Sequence, residues 1–224
     1  MQKIKNIIFD FGGVILNINH KKVENAFKDL GLTNFEELFN QASQSSLFQD
    51  LEKGNITEDY FRNGIKKFTG LTVSDNELDA TWNQIICDYP PHRIELLKSI
   101  QDNYKTYILS NTNSIHYRHY IQQFKDEFGY DFVTLFTNTY WSFQFGMRKP
   151  DPDPFLHLLD TEKIKPEETL FIDDSKQNII VARKLNIFAF HLTPNIDVKE
   201  LFVNGYIKDS ILNQIIAEHQ KIIG

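Results

Sequence analysis

The sequence predicts an α/β fold: a doubly wound parallel sheet with a helical unit inserted after the first strand. Three observations carry this prediction. Short β-branched or aromatic runs recur at 4–9, 104–109, 132–136, 169–172 and 187–192, without strict alternation, as strands buried on both faces require. Between the later runs lie helical patterns over 114–128, 153–161 and 177–185, and such alternation builds a parallel sheet covered by helices on both faces. The first two runs instead stand about ninety residues apart, and the gap is helical in pattern over 21–30, 34–44, 57–68, 74–87 and 91–100.

Each element has a local reason. The first run ends in Asp10, followed by Phe11, Gly12, Gly13 and Val14, so a buried strand releases a carboxylate onto a loop that glycines can turn. A hairpin turn built on the same residues is the plainer reading. In the gap, Thr57 and Ser74 stand where N-caps are wanted, and Ser74-Asp75-Asn76-Glu77 has the capping-box form. Gly31, Gly54 and Gly70 fall at helix ends, which favour a left-handed residue. The helix over 91–100 serves the sheet as its crossover. The rest divides the chain into an α/β core of residues 1–17 and 89–224 and a helical insertion of residues 18–88, placed as a lid over the strand ends. In the last segment, 198–224, Ile207, Ile211, Leu212, Ile215, Ile216 and Ile222 repeat at helical spacing, which favours docking on the domain's own sheet over a subunit contact.

Composition narrows the function. A chain of 224 residues buries roughly 70% of its unfolded surface and needs no metal or disulfide to fold. The apolar fraction of 41% and charged fraction of 24% are those of a water-soluble globular protein, and 19 Phe and 9 Tyr supply an aromatic core. Cys87 is the single cysteine, which fits a reducing compartment. The N-terminal apolar run is too short for a signal peptide, and no segment reaches about 18 uncharged apolar residues, so the expectation is cytoplasmic, with no membrane partner. A net charge of −6 argues against a nucleic-acid surface. Monomer and homodimer are both compatible with the sequence. An acidic protein of this kind holds an anion only through a local device.

That device is legible at four strand ends. After Asp10, the second run ends in Ser110-Asn111-Thr112-Asn113 directly before a helix, whose free N–H groups suit a phosphate or carboxylate; Thr112 or Asn113 also serves as an ordinary cap. After the third come Gly146-Met147-Arg148-Lys149-Pro150, where Pro150 biases Lys149 toward extended backbone. The fourth ends in Asp173-Asp174-Ser175, with Asn178 one turn on. A parallel sheet brings these ends to one edge, so Asp10, Asp173 and Asp174 converge. Two carboxylates about 4 Å apart repel by roughly 4 kcal/mol at an effective dielectric near 20. A hard divalent cation, Mg²⁺ first among them, and Lys149 supply the compensation, and the cation holds an anionic substrate. Asp173 or Asp174 as a simple helix cap is the structural alternative.

The set Asp10-Phe11-Gly12-Gly13-Val14, Ser110-Asn111, Lys149-Pro150 and Asp173-Asp174 resembles, in order, spacing and strand context over about residues 4–203, the four motifs of the haloacid dehalogenase-like superfamily. The insertion resembles that family's helical cap. Ser110-Asn111-Thr112-Asn113, Gly146-Met147-Arg148-Lys149-Pro150 and Glu52-Lys53-Gly54-Asn55-Ile56 are similar to the bacterial branch that includes an α-glucose-1-phosphate phosphatase. The resemblance implies that Asp10 is the nucleophile, forming an aspartyl-phosphate. It implies that Asp10, the Gly12 carbonyl, Asp173 and Asp174 hold Mg²⁺, and that Ser110, the Asn111 amide and Lys149 bind the transferring phosphoryl group. The cap would supply specificity, through residues such as Phe48, Glu52 and Arg62.

One position departs from the family pattern. Most family phosphatases carry a second Asp, the general acid and base, two residues after the nucleophile; here that residue is Gly12. Such help is worth about 10²–10⁴-fold, so phosphomutase chemistry is disfavoured and a good leaving group, such as an anomeric sugar phosphate, is favoured. Asn17, Asn19 and His20 are candidates to replace the acid, while His116 and His119 read as surface or packing residues. The resulting expectation is a Mg²⁺-dependent phosphatase acting on a small phosphorylated metabolite, possible sugar phosphates included. The alternatives are a metal-independent 2-haloacid dehalogenase, which the resemblance implies would not need the Asp173–Asp174 pair, and a non-catalytic binding protein on the same fold.

Overall fold

Alternation along the first strand sets the layers of the molecule. In β1 (Asn6–Phe9) every residue is buried; Ile7 and Phe9 join one apolar cluster and Ile8 joins another. A strand buried on both faces needs parallel neighbours covered by helices. β2 (Lys105–Ser110), β3 (Asn138–Trp141), β4 (Thr169–Asp173) and β5 (Phe188–His191) complete a sheet of order β3-β2-β1-β4-β5 in which every pair is parallel. The chain therefore reverses its winding at β1, where such sheets leave a crevice at their carboxyl ends. The computed structural model describes residues 4–32, 34–37 and 46–223.

Apart from the single turn Ser142–Phe145, the helices placed among the described residues are α1 (His20–Asp29), α2 (Leu47–Glu52), α3 (Glu58–Thr69), α4 (Asp75–Trp82), α5 (Pro91–Ile100), α6 (Ser114–Phe128), α7 (Asp153–Glu162), α8 (Lys176–Lys184) and α9 (Asp209–Ile223). Leu97 of α5, Phe124 of α6 and Ile215 of α9 cover the face of Ile7 and Phe9. Phe155 and Leu158 of α7, with Ile179 and Ala182 of α8, cover the face of Ile8. The C-terminal helix thus docks on its own sheet, as its periodicity predicts, and a short hairpin of β6 (Phe202–Val203) and β7 (Tyr206–Ile207) leads into it. Among the described residues no helix is long and apolar enough to cross a membrane.

Four of the five predicted strands form within two residues of their expected bounds. The fifth does not. Residues 132–136 were expected to be the third strand, but Phe132–Leu135 is a 3-10 turn and the strand follows at Asn138–Trp141. Phe132, Leu135 and Phe136 are spaced for one face of a turn and are buried together in the larger cluster. There Phe132 lies 5.2 Å, ring to ring, from Phe11 and 5.1 Å from Phe124. β3 lies at the sheet's edge, exposed at Asn138, so it needs no continuous apolar run.

The segment between β1 and α5 has an apolar cluster of its own, which includes Val23, Phe27, Leu51, Phe61, Ile65 and Leu78 and recruits Ile115 from α6. Its two connections run side by side: Cys87 N–H donates to Asn17 O, Asn17 N–H to Asp88 O and Asn19 N–H to Ile85 O, all within 3.0 Å. Thr57 caps α3, and Ser74 and Glu77 close the expected capping box on α4. The helix expected over 74–87 stops at Trp82, where the 3-10 turn Asn83–Ile85 begins to turn the chain back. The expected helix over 34–44 lies largely outside the described residues, and α2 is an element that the periodicity did not announce.

Phe132→Ala removes a fully buried ring from the contact of turn, sheet and α6. It is expected to lower unfolding free energy by about 3–5 kcal/mol, read from urea denaturation midpoints; a loss under about 1 kcal/mol would mean that this turn is not part of the core.

Candidate active site

The register brings the predicted carboxylates to one edge. Phe9 pairs with Ile172 across β1 and β4, so the next residues, Asp10 and Asp173, leave the sheet side by side, and Asp10 N–H donates to Ile172 O at 2.9 Å. Lys149 arrives between them from the loop after β3. Its ammonium, 2% exposed, donates to Asp10 Oδ1 at 2.7 Å and to Asp173 Oδ2 at 2.6 Å. Asp174, exposed beside them, completes the set: one oxygen from each of Asp10, Asp173 and Asp174 lies within 4.8 Å of the others. Gly13 makes room for this approach, since it sits at φ +81° and a Cβ there would stand 2.4 Å from Asp174 Oδ2.

Other residues hold these groups in place. Asn178 Nδ2 donates to both oxygens of Asp173, at 3.1 and 3.0 Å, and Ser175 N–H donates to Asp173 Oδ1 at 2.7 Å. The Asn111 side chain clamps the Lys149 backbone in both directions, accepting from Lys149 N–H at 2.9 Å and donating to Lys149 O at 2.7 Å. Both polar atoms of the Asn111 side chain are thus committed to the Lys149 loop. The Ser110 hydroxyl has only a long contact, 3.5 Å, with Asn111 O. Asn113 caps α6, accepting from Ile115 N–H and His116 N–H.

The electrostatics follow from burial. Desolvation raises the Asp10 carboxyl to about 7; Lys149 opposes the rise, and the charges of Asp173 and Asp174 add to it. Asp174 is raised as well, by desolvation first and by Asp173 second. Desolvation alone would depress the Lys149 ammonium, but Asp10 and Asp173 outweigh it and its pKa stands above the ordinary value. Three carboxylates share one ammonium, so the set is short of positive charge.

A cavity of about 450 Å³ opens beside this edge, bordered by Gly12, Ser110 and Asn111 below and by residues of the helical segment above. Phe48 and Glu52, two of the three predicted cap candidates, line it. Arg62 does not: it is bound to Glu58, Asp59 and Asp79 within the helical segment. Of the candidates to replace the acid, Asn17 is held by Asp88 and Arg93 and Asn19 caps α1, whereas His20 lines the cavity. His116 is the packing residue that was expected, stacked on Trp82, and it lines the cavity as well, which that reading did not include. Its place on the first turn after Ser110-Asn111 was the available signal. Desolvation lowers its pKa to about 3, so the ring is neutral, and Nδ1 donates to Asn83 Oδ1 at 2.8 Å.

A family model for haloacid dehalogenase-like hydrolases matches residues 4–186. The chain belongs to that family. Among the relatives of this haloacid dehalogenase-like hydrolase is a D-ribitol-5-phosphate phosphatase of Bacteroides thetaiotaomicron, 31% identical over 188 residues that cover 84% of this chain and 91% of the relative. A sesquiterpene phosphatase of Aspergillus oryzae is 29% identical over 196 residues, 86% of this chain and 91% of the relative. A crystal structure of a family enzyme from Bacteroides thetaiotaomicron, in complex with magnesium and inorganic phosphate, superposes with a TM-score of 0.83 at 36% identity, covering 89% of this chain and all of that one.

In this family member the helical segment is tied to α6 by Glu58, which accepts from Ser114 Oγ at 2.5 Å and pairs with Arg118 and Arg62. Arg118 holds the Glu58 carboxyl down at about 2, against its partial burial. A folded pKa below the ordinary 4.5 means that this stabilisation is complete above about pH 4.5 and is lost as pH falls through about 2. Glu58→Gln is expected to melt below the wild type near pH 6, with the gap closing between about pH 4.5 and 2 in thermal melts; a gap that ignores pH would contradict the assignment.

Proposed function

We propose that the chain is a Mg²⁺-dependent phosphatase that hydrolyses a small phosphorylated metabolite through an aspartyl-phosphate on Asp10. The observation that carries the reading is the buried Lys149 ammonium shared by Asp10 and Asp173, with Asp174 in reach, on the sheet edge whose neighbouring residues Gly12, Ser110 and Asn111 border a cavity. The names of the relatives point the same way: one acts on a polyol phosphate and one on a sesquiterpene phosphate, and the family structure binds magnesium and phosphate.

The residues fit a divalent cation. Oxygen donors from Asp10, Asp173 and Asp174 are clustered, one lysine does not balance them, and burial keeps the Asp10 carboxyl raised to about 7 despite Lys149. These three carboxylates and the Gly12 carbonyl would hold Mg²⁺, which when bound supplies charge against the phosphoryl oxygens. The protein's own part is then explicit. Asp10 attacks phosphorus in line, the P–O bond to the leaving group breaks, and water later cleaves the acyl phosphate to return the carboxylate and free phosphate. Lys149, the Ser110 hydroxyl and the Asn111 N–H stabilise the transferring phosphoryl group, while Asn178 and the Asn111 side chain keep Asp173 and Lys149 in position. A metal-independent dehalogenase would have no use for the clustered Asp173 and Asp174, and a binding protein would have no need to keep Asp10 and Lys149 buried together.

A phosphometabolite screen with and without Mg²⁺ tests the proposal. Metal-dependent phosphate release is expected, lost on chelation and restored by added Mg²⁺; no release from any ester overturns it. Asp10→Asn is expected to leave less than about one thousandth of the wild-type kcat. At Gly12 the backbone is not left-handed and a Cβ would meet only Ile18, at 3.5 Å. Gly12→Asp is therefore expected to fold normally and to raise kcat on alkyl phosphates at least about tenfold by restoring the acid. An unchanged kcat with alkyl esters would show that another group already supplies the proton.

A further inference from the structure

We infer that the site takes the phosphate monoester of an aromatic, phenol-like alcohol rather than that of a polyol or sugar. The inference rests on the phosphatase reading above and names the substrate class for it. Two independent features of the site meet in it.

The first is the wall of the cavity. Above the edge formed by Gly12, Ser110 and Asn111, the cavity is bordered by Val23, Phe48, Trp82, Ile85 and His116. Phe48 stacks on Trp82 at 5.4 Å with 22° between the planes, and Trp82 stacks on His116 at 5.0 Å with 19°. Three nearly parallel rings give a stiff π-rich surface against which a flat ring packs by face or edge. Four of the polar side chains around it are already engaged, while His20 and Ser110 also line it. Glu52 accepts from Arg148 at 2.8 Å, Asn113 caps α6, the Asn111 side chain holds the Lys149 backbone, and His116 Nδ1 is bound to Asn83. A polyol would lose water from each hydroxyl here and find few partners, which weakens binding. His116 Nε2, without a hydrogen bond among the described residues, has room for a single donor.

The second is Gly12. With no carboxyl at that position, the leaving oxygen departs without the family's acid, and among the candidates to replace it His20 alone lines the cavity. An aliphatic alkoxide has a conjugate-acid pKa near that of water, about 16, and needs a proton in the transition state, whereas a phenolate, at about 10, does not. In the step that follows, an Asp10 oxygen bonds to phosphorus and the P–O(aryl) bond breaks. The electron pair leaves with the phenolate, which takes its proton from water. Hydrolysis of the acyl phosphate consumes one water and regenerates Asp10. The wall selects an aromatic body and the missing acid selects an aromatic leaving group.

Steady-state kinetics of the full chain with Mg²⁺ should compare 2-naphthyl and phenyl phosphates with hexyl phosphate, ribitol 5-phosphate and glucose 1-phosphate. The aryl esters are expected to exceed the others in kcat/KM by about 100-fold. Because a good leaving group helps any phosphatase, a second arm measures binding alone. (2-Naphthylmethyl)phosphonate, which has no leaving group, is expected to inhibit at a concentration about tenfold below that of a hydroxyalkyl phosphonate, and Phe48→Ala is expected to erase that difference. A polyol or sugar ester that outperforms the aryl esters, equal inhibition by the two phosphonates, or hexyl phosphate matching naphthyl phosphate would each overturn the inference while leaving the phosphatase reading intact. Absence of phosphate release from every ester would overturn that reading, and this one with it.

Discussion

The structure depends on a buried lysine. An ammonium that is 2% exposed is tolerable only if opposite charges reach it, and Lys149 has two, Asp10 and Asp173, from strands that are neighbours in the sheet. Removing Lys149 would leave these carboxylates facing one another in the interior without compensation, at a cost of about 3–5 kcal/mol. The arrangement therefore constrains the sheet as well as the chemistry. A register slip of one residue between β1 and β4 would send one of the two carboxylates to the opposite face. The supporting bonds are of the same kind: Asn111 holds the Lys149 backbone and Asn178 holds Asp173, so the end of each of the three central strands contributes to positioning one ammonium.

The apolar core is what leaves the sheet's edge available for such a site. Both faces of β1, β2 and β4 are covered by helices, so the strands need no help from their ends. The helical segment uses the sheet domain differently. It brings an apolar cluster of its own and, among the described residues, borrows Ile115, which stands two residues beyond Asn113 on the first turn of α6. Ser114, Ile115, His116 and Arg118 all reach that segment from this turn and the next. The same turn follows directly on Ser110 and Asn111, so the anchor of the helical segment and the phosphate-binding backbone proposed for the site are parts of one rigid element.

Much of this was legible in the sequence because it follows from strong local rules. Runs such as Asn6–Phe9 and Thr169–Asp173 are buried on both faces and read as strands whatever surrounds them. Thr57, Ser74 and Asn113 are caps by chemistry, and three strand-end carboxylates imply one cluster once the sheet is parallel. The failures share a cause, which is that packing against distant residues decided them. The apolar residues Phe132, Leu135 and Phe136 fill a gap among Phe11, Tyr89 and Phe124, whereas the true strand, Asn138–Trp141, carries little apolar pattern because it lies at an edge. α2 is too short for its Leu47 and Leu51 to declare a period. The role of His116 needed Trp82 and Asn83, more than thirty residues earlier in the chain, to be brought to it.

Besides α6, the helical segment meets the loop of Lys149 itself. Arg148 pairs with Glu52, which lines the cavity, and Lys53 approaches Asp151 at 3.6 Å. Gly54 lies against the carbonyl of Phe143, where a Cβ would stand 2.4 Å from that oxygen at φ +66°, so no other residue permits the contact at this distance. The cavity is thus spanned between two anchors, Glu58 on α6 and Glu52 on the Lys149 loop. The second has the greater chemical consequence. Arg148 and Lys149 are consecutive, and Asn111 clamps the Lys149 backbone, so Glu52 is joined through one peptide unit to the residue whose ammonium lies between Asp10 and Asp173. Glu52 thus borders the cavity and buttresses the lysine loop at once, so the cavity wall and the ammonium share one support.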